Sequence, residues 1–201
     1  MNGAMLNDTS SLLSLLETRR SGKPRSIDGP GPGREELERI LAIAARVPDH
    51  GKLHPWRFVI VGEDQRDSLA KLLREALAEE NPDAGAAHHS KEEEFAYYSG
   101  SLVVLVSAPV ENHKIPVWEQ QLSCGAAGMN LLLAAHALGY VAGWVTGWRA
   151  YSPAVTASLC EAGERIAGFI FIGSAAGEPE DRPRPDLQDV VRNWSPARDV
   201  G

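Results

Sequence analysis

This 201-residue chain is poor in cysteine and in positive charge. Its two cysteines are Cys124, inside a long apolar run, and Cys160, near an expected helix end; with no CxxC spacing and no further thiols they cannot build a disulfide framework. Two buried thiols suit a reducing, cytoplasmic setting. Lysine and arginine total 20 against 27 acidic residues, a net charge of −7, which argues against a general nucleic-acid or anionic-membrane surface and makes any local basic pocket informative. The N-terminus lacks the basic region, apolar core and cleavage site of a signal peptide, so export is not expected.

Charge is also missing from one long internal stretch. From Gln120 to Trp148 the chain carries no formally charged side chain, and no other apolar stretch matches it in length. A membrane span is the bland reading. Asn130, His136 and the interspersed glycines, with no flanking Lys/Arg cluster, favour instead a core helix that closes at Gly139. Its small residues (Gly125, Ala126, Ala127, Gly128, Ala134, Ala135) predict close approach of an equally large partner element, such as the same helix of a second subunit. With 43% hydrophobic and 23% charged residues the whole chain, 1–201, reads as one globular domain.

Around this helix the pattern alternates helices and short strands. Leu12, Leu13, Leu15 and Leu16 predict a helix after the capping run Asp8–Ser11. Gly29-Pro30-Gly31-Pro32-Gly33 is not a dinucleotide loop, because Lys23–Asp28 before it reads as a linker; it introduces a second helix with Glu35 and Glu36 in its first turn. Arg57–Val61 is a short strand, and Asp64 to about Glu80 a third helix. Asn81–Gly100, with His88-His89 and Glu92–Glu94, is read as an irregular loop and a candidate mobile lid. Ser101–Ala108 and Ile166–Gly173 are continuous apolar runs of buried-strand length. Residues 174–201, with few apolar anchors, are expected to form an extended C-terminal arm over a surface, such as that of a neighbouring subunit.

Three segments carry candidate chemistry. Arg19, Arg20 and Ser21, at the end of the first helix, suit a phosphate grip, although arginines also offset the dipole at a helix C-terminus. Arg46 to Trp56 contains an Arg, a His and a Trp placed to hold a planar, anionic ligand; His50 and His54 have a metal-like spacing, but Gly51 and Pro55 break the helix it would need. In Tyr140–Ala150 the repeated glycines fit either main chain approaching a flat ligand, with Thr146 on its polar edge, or a tight strand with packed tryptophans.

In order, Thr18-Arg19-Arg20-Ser21, Pro48-Asp49-His50 with Pro55-Trp56, Glu111-Asn112-His113-Lys114-Ile115-Pro116 with Trp118-Glu119-Gln120, and Gly139-Tyr140 leading to Gly143-Trp144 resemble the FMN-dependent nitroreductase family. Within it the match is to the small YdjA-like branch and runs from about Leu12 to Gly173. The resemblance implies an α+β fold, a three-layer α-β-α sandwich with a mixed, mainly antiparallel sheet and a long central helix at a homodimer interface. It implies FMN as cofactor, NADH or NADPH as hydride donor, and a small-molecule acceptor such as a nitroaromatic or quinone, with hydride chemistry at flavin N5 and no catalytic side chain, nucleic acid, membrane or metal. Arg19, Arg20 and Ser21 would hold the phosphate and the polar side of the ring, Arg46 and His50 would reach in from the other subunit, and Trp144, Val145 and Thr146 would lie along the isoalloxazine. Val145 stands where a YdjA-like relative has a second arginine, so main-chain contact alone is expected there. The tail also departs from the relatives, so Arg182 and Arg184, which could supply phosphate charge, are not assigned to the site. Relatives of this scaffold also include dehalogenating and flavin-fragmenting enzymes, and a non-catalytic flavin-binding protein fits the same residues.

Overall fold

The computed structural model describes residues 5–177 and 179–195. In chain order the helices are α1 (Leu12–Thr18), α2 (Arg34–Ala44), α3 (Arg66–Glu80), α4 (Ala86–Ala96), α5 (Val117–Ala137), α6 (Pro153–Leu159) and α7 (Leu187–Val190). The strands are β1 (Ile27–Asp28), β2 (Trp56–Val61), β3 (Ser101–Ser107), β4 (Val141–Val145) and β5 (Arg165–Ala175). All pairings among the described residues are antiparallel: β2 with β3, and β5 with β3, β4 and β1. The expected mainly antiparallel sheet is present, and the segment read as a linker before Gly29 contributes a two-residue strand to it.

Strand alternation sorts the core into two layers, since successive side chains leave opposite faces. Leu102, Val104 and Val106 of β3 and Phe169 and Phe171 of β5 pack with Leu69 and Leu73 of α3, Phe95 of α4 and Val155 of α6. Val103 and Leu105 of β3 and Ile170 and Ile172 of β5 meet Leu37 and Ile40 of α2 and Cys124, Ala127 and Leu131 of α5. Both faces of β3 and β5 are therefore covered, which is why these strands read as unbroken apolar runs. At about 1.5–3 kcal/mol per fully buried Leu, Ile, Val or Phe, the two layers dominate folding.

The segment 81–100 is not an irregular loop: α4 occupies 86–96 and packs on α3, with Phe95 and Ala96 in the core. Its sequence, AAHHSKEEEFA, lacks a repeating apolar face because only the last turn reaches the core, but it is rich in helix formers. Within one chain α5 is covered along one side. Cys124, Ala127, Gly128 and Leu131 face the sheet, while Trp118, Leu122 and Met129 are exposed in a stripe along the opposite side. Of its small residues, Ala127, Gly128, Ala134 and Ala135 are buried within the chain. A Cβ on Gly128 would stand 2.6 Å from Trp144 Cζ3 and 2.7 Å from Leu105 Cδ2, so glycine there lets the helix settle onto the strands. Gly139 ends α5 with φ +87°, the left-handed conformation expected of it. No helix among the described residues is long and apolar enough to cross a membrane.

Candidate functional site

The site is built where the turn after α1 meets the end of β4. Ser11 caps α1, its hydroxyl accepting from the Ser14 N–H, and the helix stops at Thr18. The chain is then clamped by Asn7, whose side-chain oxygen accepts from the Arg20 N–H at 2.7 Å, and the Gly22 N–H donates to the Ala142 carbonyl of β4 at 3.0 Å. Gly143 makes the approach possible, because a Cβ there would run into the Gly22 carbonyl oxygen. The turn Arg19–Ser21 is thus held against β4 through its main chain.

Positive charge is concentrated at this turn. Arg19 Nη1 donates to Ser21 Oγ at 3.0 Å, and Arg19 makes no ion pair among the described residues. Its guanidinium is pushed below the usual arginine value, first by burial and then by the positive charges of Arg184, Arg20 and Arg182. Arg20 Nε donates to the Glu180 carbonyl at 2.8 Å, tying the tail to the turn. Folding therefore gathers both tail arginines with the pair at the end of α1, which sequence spacing alone could not show.

Two cavities flank the turn and share Arg20, Ser21, Gly22 and Lys23. One, about 320 Å³, is closed on the other side by Val141 and the tail at Ala175–Gly177 and Pro179–Glu180. The other, about 520 Å³, extends toward Val145, Gly147 and Trp148 and is walled by α4 through His88, Lys91, Glu92 and Phe95. At its inner wall Arg149 is almost fully buried. It reaches Glu92 Oε2 with Nε at 2.8 Å and Nη2 at 2.6 Å, donates from Nη1 to the Thr146 carbonyl at 3.1 Å, and lies 3.6 Å above the Phe95 ring. Burial lowers the Arg149 pKa, and Glu92 opposes that shift. Glu92 and Arg149 were missed in the sequence because the first lay in an apparent loop and the second beside two glycines and a tryptophan that suggested main-chain contact only.

The remaining candidates are placed unevenly. Val145 lines the larger cavity. Trp144 does not: its indole is turned inward, donating from Nε1 to the Ala167 carbonyl at 3.0 Å and packing over Gly128 and Gly168, so it can offer a ligand only backbone. Thr146 presents its carbonyl to Arg149. His50 lies in a separate cavity of about 420 Å³ with Pro48, Asp49, Trp118, Glu119 and Leu122, where its Nδ1 pairs with Glu119 Oε2 at 2.9 Å. Arg46 is exposed outside that cavity and Trp56 is in the core, so within one chain the Arg, His and Trp of that loop do not form a joint anion pocket. Among the described residues no three His, Cys, Asp or Glu side chains converge as metal ligands.

Sequence comparison identifies the class to which this fold belongs. Residues 16–174 match the Nitroreductase family. A Haemophilus influenzae protein named "Putative NAD(P)H nitroreductase" is 36% identical over 183 residues, 89% of this chain and 97% of that protein. The similarly named YdjA of Escherichia coli K12 is 31% identical over 163 residues, 81% and 87% of the two chains. Among solved structures, a nitroreductase-like family protein from Bacillus cereus superimposes with a TM-score of 0.80 at 20% identity, covering 92% of this chain and 96% of that one. The FMN- and NADPH-dependent nitroreductase NfnB of a sphigopyxis strain gives 0.67 at 18% identity, covering 93% and 100%. The chain belongs to the nitroreductase family.

Proposed function

We propose that this chain is an FMN-dependent oxidoreductase that uses NADH or NADPH to reduce nitroaromatic, quinone or similar small acceptors. The observation that carries the reading is the half-buried Arg19, crowded by Arg20, Arg182 and Arg184 beside the Ser21 hydroxyl. A set of donors rich in guanidinium and hydroxyl fits a phosphate and the anionic edge of a reduced flavin ring. When bound, FMN supplies the hydride chemistry at N5, serving donor and acceptor in turn. Arg19 and Arg20 supply positive charge and N–H donors to the anionic oxygens, Ser21 orients Arg19, and the end of β4 offers main chain at Val145 and Thr146. The Arg149–Glu92 pair fixes the Thr146 carbonyl, and so the peptide that follows it.

The working unit in this reading is a homodimer. The uncovered stripe Trp118, Leu122 and Met129 on α5, with exposed Leu12, Leu13 and Leu16 on α1, is an apolar surface of the kind that marks an interface. The His50 cavity and the arginine turn share no lining residue in one chain. Pairing two copies would let Arg46 and His50 of one serve the turn of the other; of the expected arm 174–201, Ser174 and Ala175 belong instead to β5, and 178 and 196–201 lie outside the described residues.

The test is the visible spectrum of protein purified without added cofactor, before and after NADH or NADPH is added without oxygen. Flavin bands that bleach support the proposal; a colourless protein that also fails to take up FMN refutes it, and bound flavin that resists both nicotinamides makes this a flavin-binding protein instead. Arg20→Ala is expected to lose at least about 90% of its flavin, because an N–H donor and a charge leave the phosphate site together. Full occupancy in that variant would count against the assignment.

A further inference from the structure

We propose that the larger cavity beside the arginine turn selects a planar aromatic substrate that carries an anionic group, a carboxylate or a phosphate. The proposal rests on the flavin reading for its place in the reaction and on the cavity's own chemistry for its specificity.

The charges of the cavity do not cancel. Glu92 is its one acidic wall residue, and that carboxylate is already taken: Oε2 receives two donors from Arg149, and Oε1 faces His88 Nε2 at 3.7 Å. What remains is cationic. Arg20, Lys23, Arg25 and Lys91 all line the space; Arg20 belongs to the flavin in the reading above and Lys23 faces Glu180 Oε2 at 3.5 Å, whereas neither Arg25 nor Lys91 has a carboxylate partner among the described residues. On a chain of net charge −7 two such unclaimed cations lining one cavity are a local feature, and a concave wall focuses their field on whatever enters. Half-buried Trp148 and Tyr98 add flat apolar surface to the same walls. Cations beside open aromatic faces recognise a ring with a negative substituent, the ring stacking and the substituent reaching the ammonium or guanidinium groups. A neutral ring gains the stacking alone. The buried Glu92–Arg149 pair keeps α4 and the Thr146–Arg149 turn in register, so the two walls that supply Lys91 and Trp148 stay opposite each other.

The two sources of such an anion, an acceptor carboxylate and the nucleotide phosphate of NADPH, are separated by calorimetric titration of the protein as isolated with 4-nitrobenzoate against 4-nitrobenzamide, and with NADP+ against NAD+. At low salt the more anionic member of at least one pair is expected to bind about ten-fold tighter, the preference shrinking as ionic strength rises past about 0.1 M, where the Debye length falls to about 10 Å. In Arg25→Gln/Lys91→Gln the preference should fall to within about two-fold, and Lys91→Glu should weaken the anion further; Lys91→Gln alone should give an intermediate value. Preference within the benzoate pair assigns the anion to the acceptor, and within the nucleotide pair to the hydride donor. Equal binding in both pairs overturns the proposal, as does an unchanged preference in the double variant. So does loss of flavin absorbance in that variant, since the cations would then belong to FMN itself. A colourless wild-type protein would refute the flavin reading while leaving the binding preference measurable.

Discussion

Replacing Glu92 with Gln tests the most demanding electrostatic feature of the fold. Glu92 is 3% exposed and Arg149 7%, and the two are joined by contacts of 2.8 and 2.6 Å. Gln keeps the shape and an acceptor oxygen but removes the countercharge, leaving a guanidinium that is buried and unpaired. Breaking a buried pair from one side costs about 3–5 kcal/mol. The Phe95 ring beneath the guanidinium and the surviving amide acceptor place this case near the lower end, about 3 kcal/mol. For a chain of this size that is a fall in Tm of roughly 6–12 °C. Urea unfolding followed by tryptophan fluorescence would measure it, at fixed protein concentration and equal flavin loading because binding and assembly both shift apparent stability. The double replacement Glu92→Leu/Arg149→Met removes both charges and should recover to within about 1 kcal/mol of the parent. A single-variant loss below about 1 kcal/mol, or a double variant as unstable as the single, would refute the view that the charges are desolvated and mutually dependent.

Two further outcomes follow from buried groups. His136 donates from Nδ1 to the Tyr140 carbonyl while Nε2 has no partner, and burial, with a lesser push from Arg19, lowers its pKa to about 4. The unfolded chain therefore takes up a proton that the folded chain refuses as pH drops from about 6.5 toward 4, so stability present at neutral pH is lost on acidification. The cost should reach about 2 kcal/mol by pH 5. His136→Gln should flatten that part of the stability profile, and equal pH slopes in the two proteins would defeat the prediction. Gly100 has φ +84°, and a Cβ there would meet the Ile172 carbonyl oxygen at the start of β3; Gly100→Ala is expected to lose about 2–3 kcal/mol in the same urea assay, with a loss under about 1 kcal/mol showing that the strand end can yield.

Much of the layer order was legible because periodicity is a local property. The runs Ser101–Ser107 and Ile166–Gly173 announced doubly covered strands, Gly139 announced the end of α5, and Ser152-Pro153 forms the capped start that their residue types favour. Helix α4 was not legible by the same rule, because its contact with the core is confined to Glu92, Phe95 and Ala96; only its propensity for helix pointed to it. For the stretch 120–148, nothing in composition says which apolar face a chain covers for itself and which it leaves for another.

The sequence by itself determined that a small-residue helix lies against buried strands, and that an arginine-serine turn stands at the end of α1 in the order seen in the nitroreductase family. Tertiary structure alone decided what surrounds that turn: Arg182 and Arg184 brought back from the tail, Trp144 turned inward beneath the strand, and Glu92 delivered by α4 to Arg149. The division has a physical reason. Propensity, capping and periodicity act over a few residues, whereas the field at a site and the burial of an ion pair depend on which distant segments the sheet and its covering helices bring within a few ångströms.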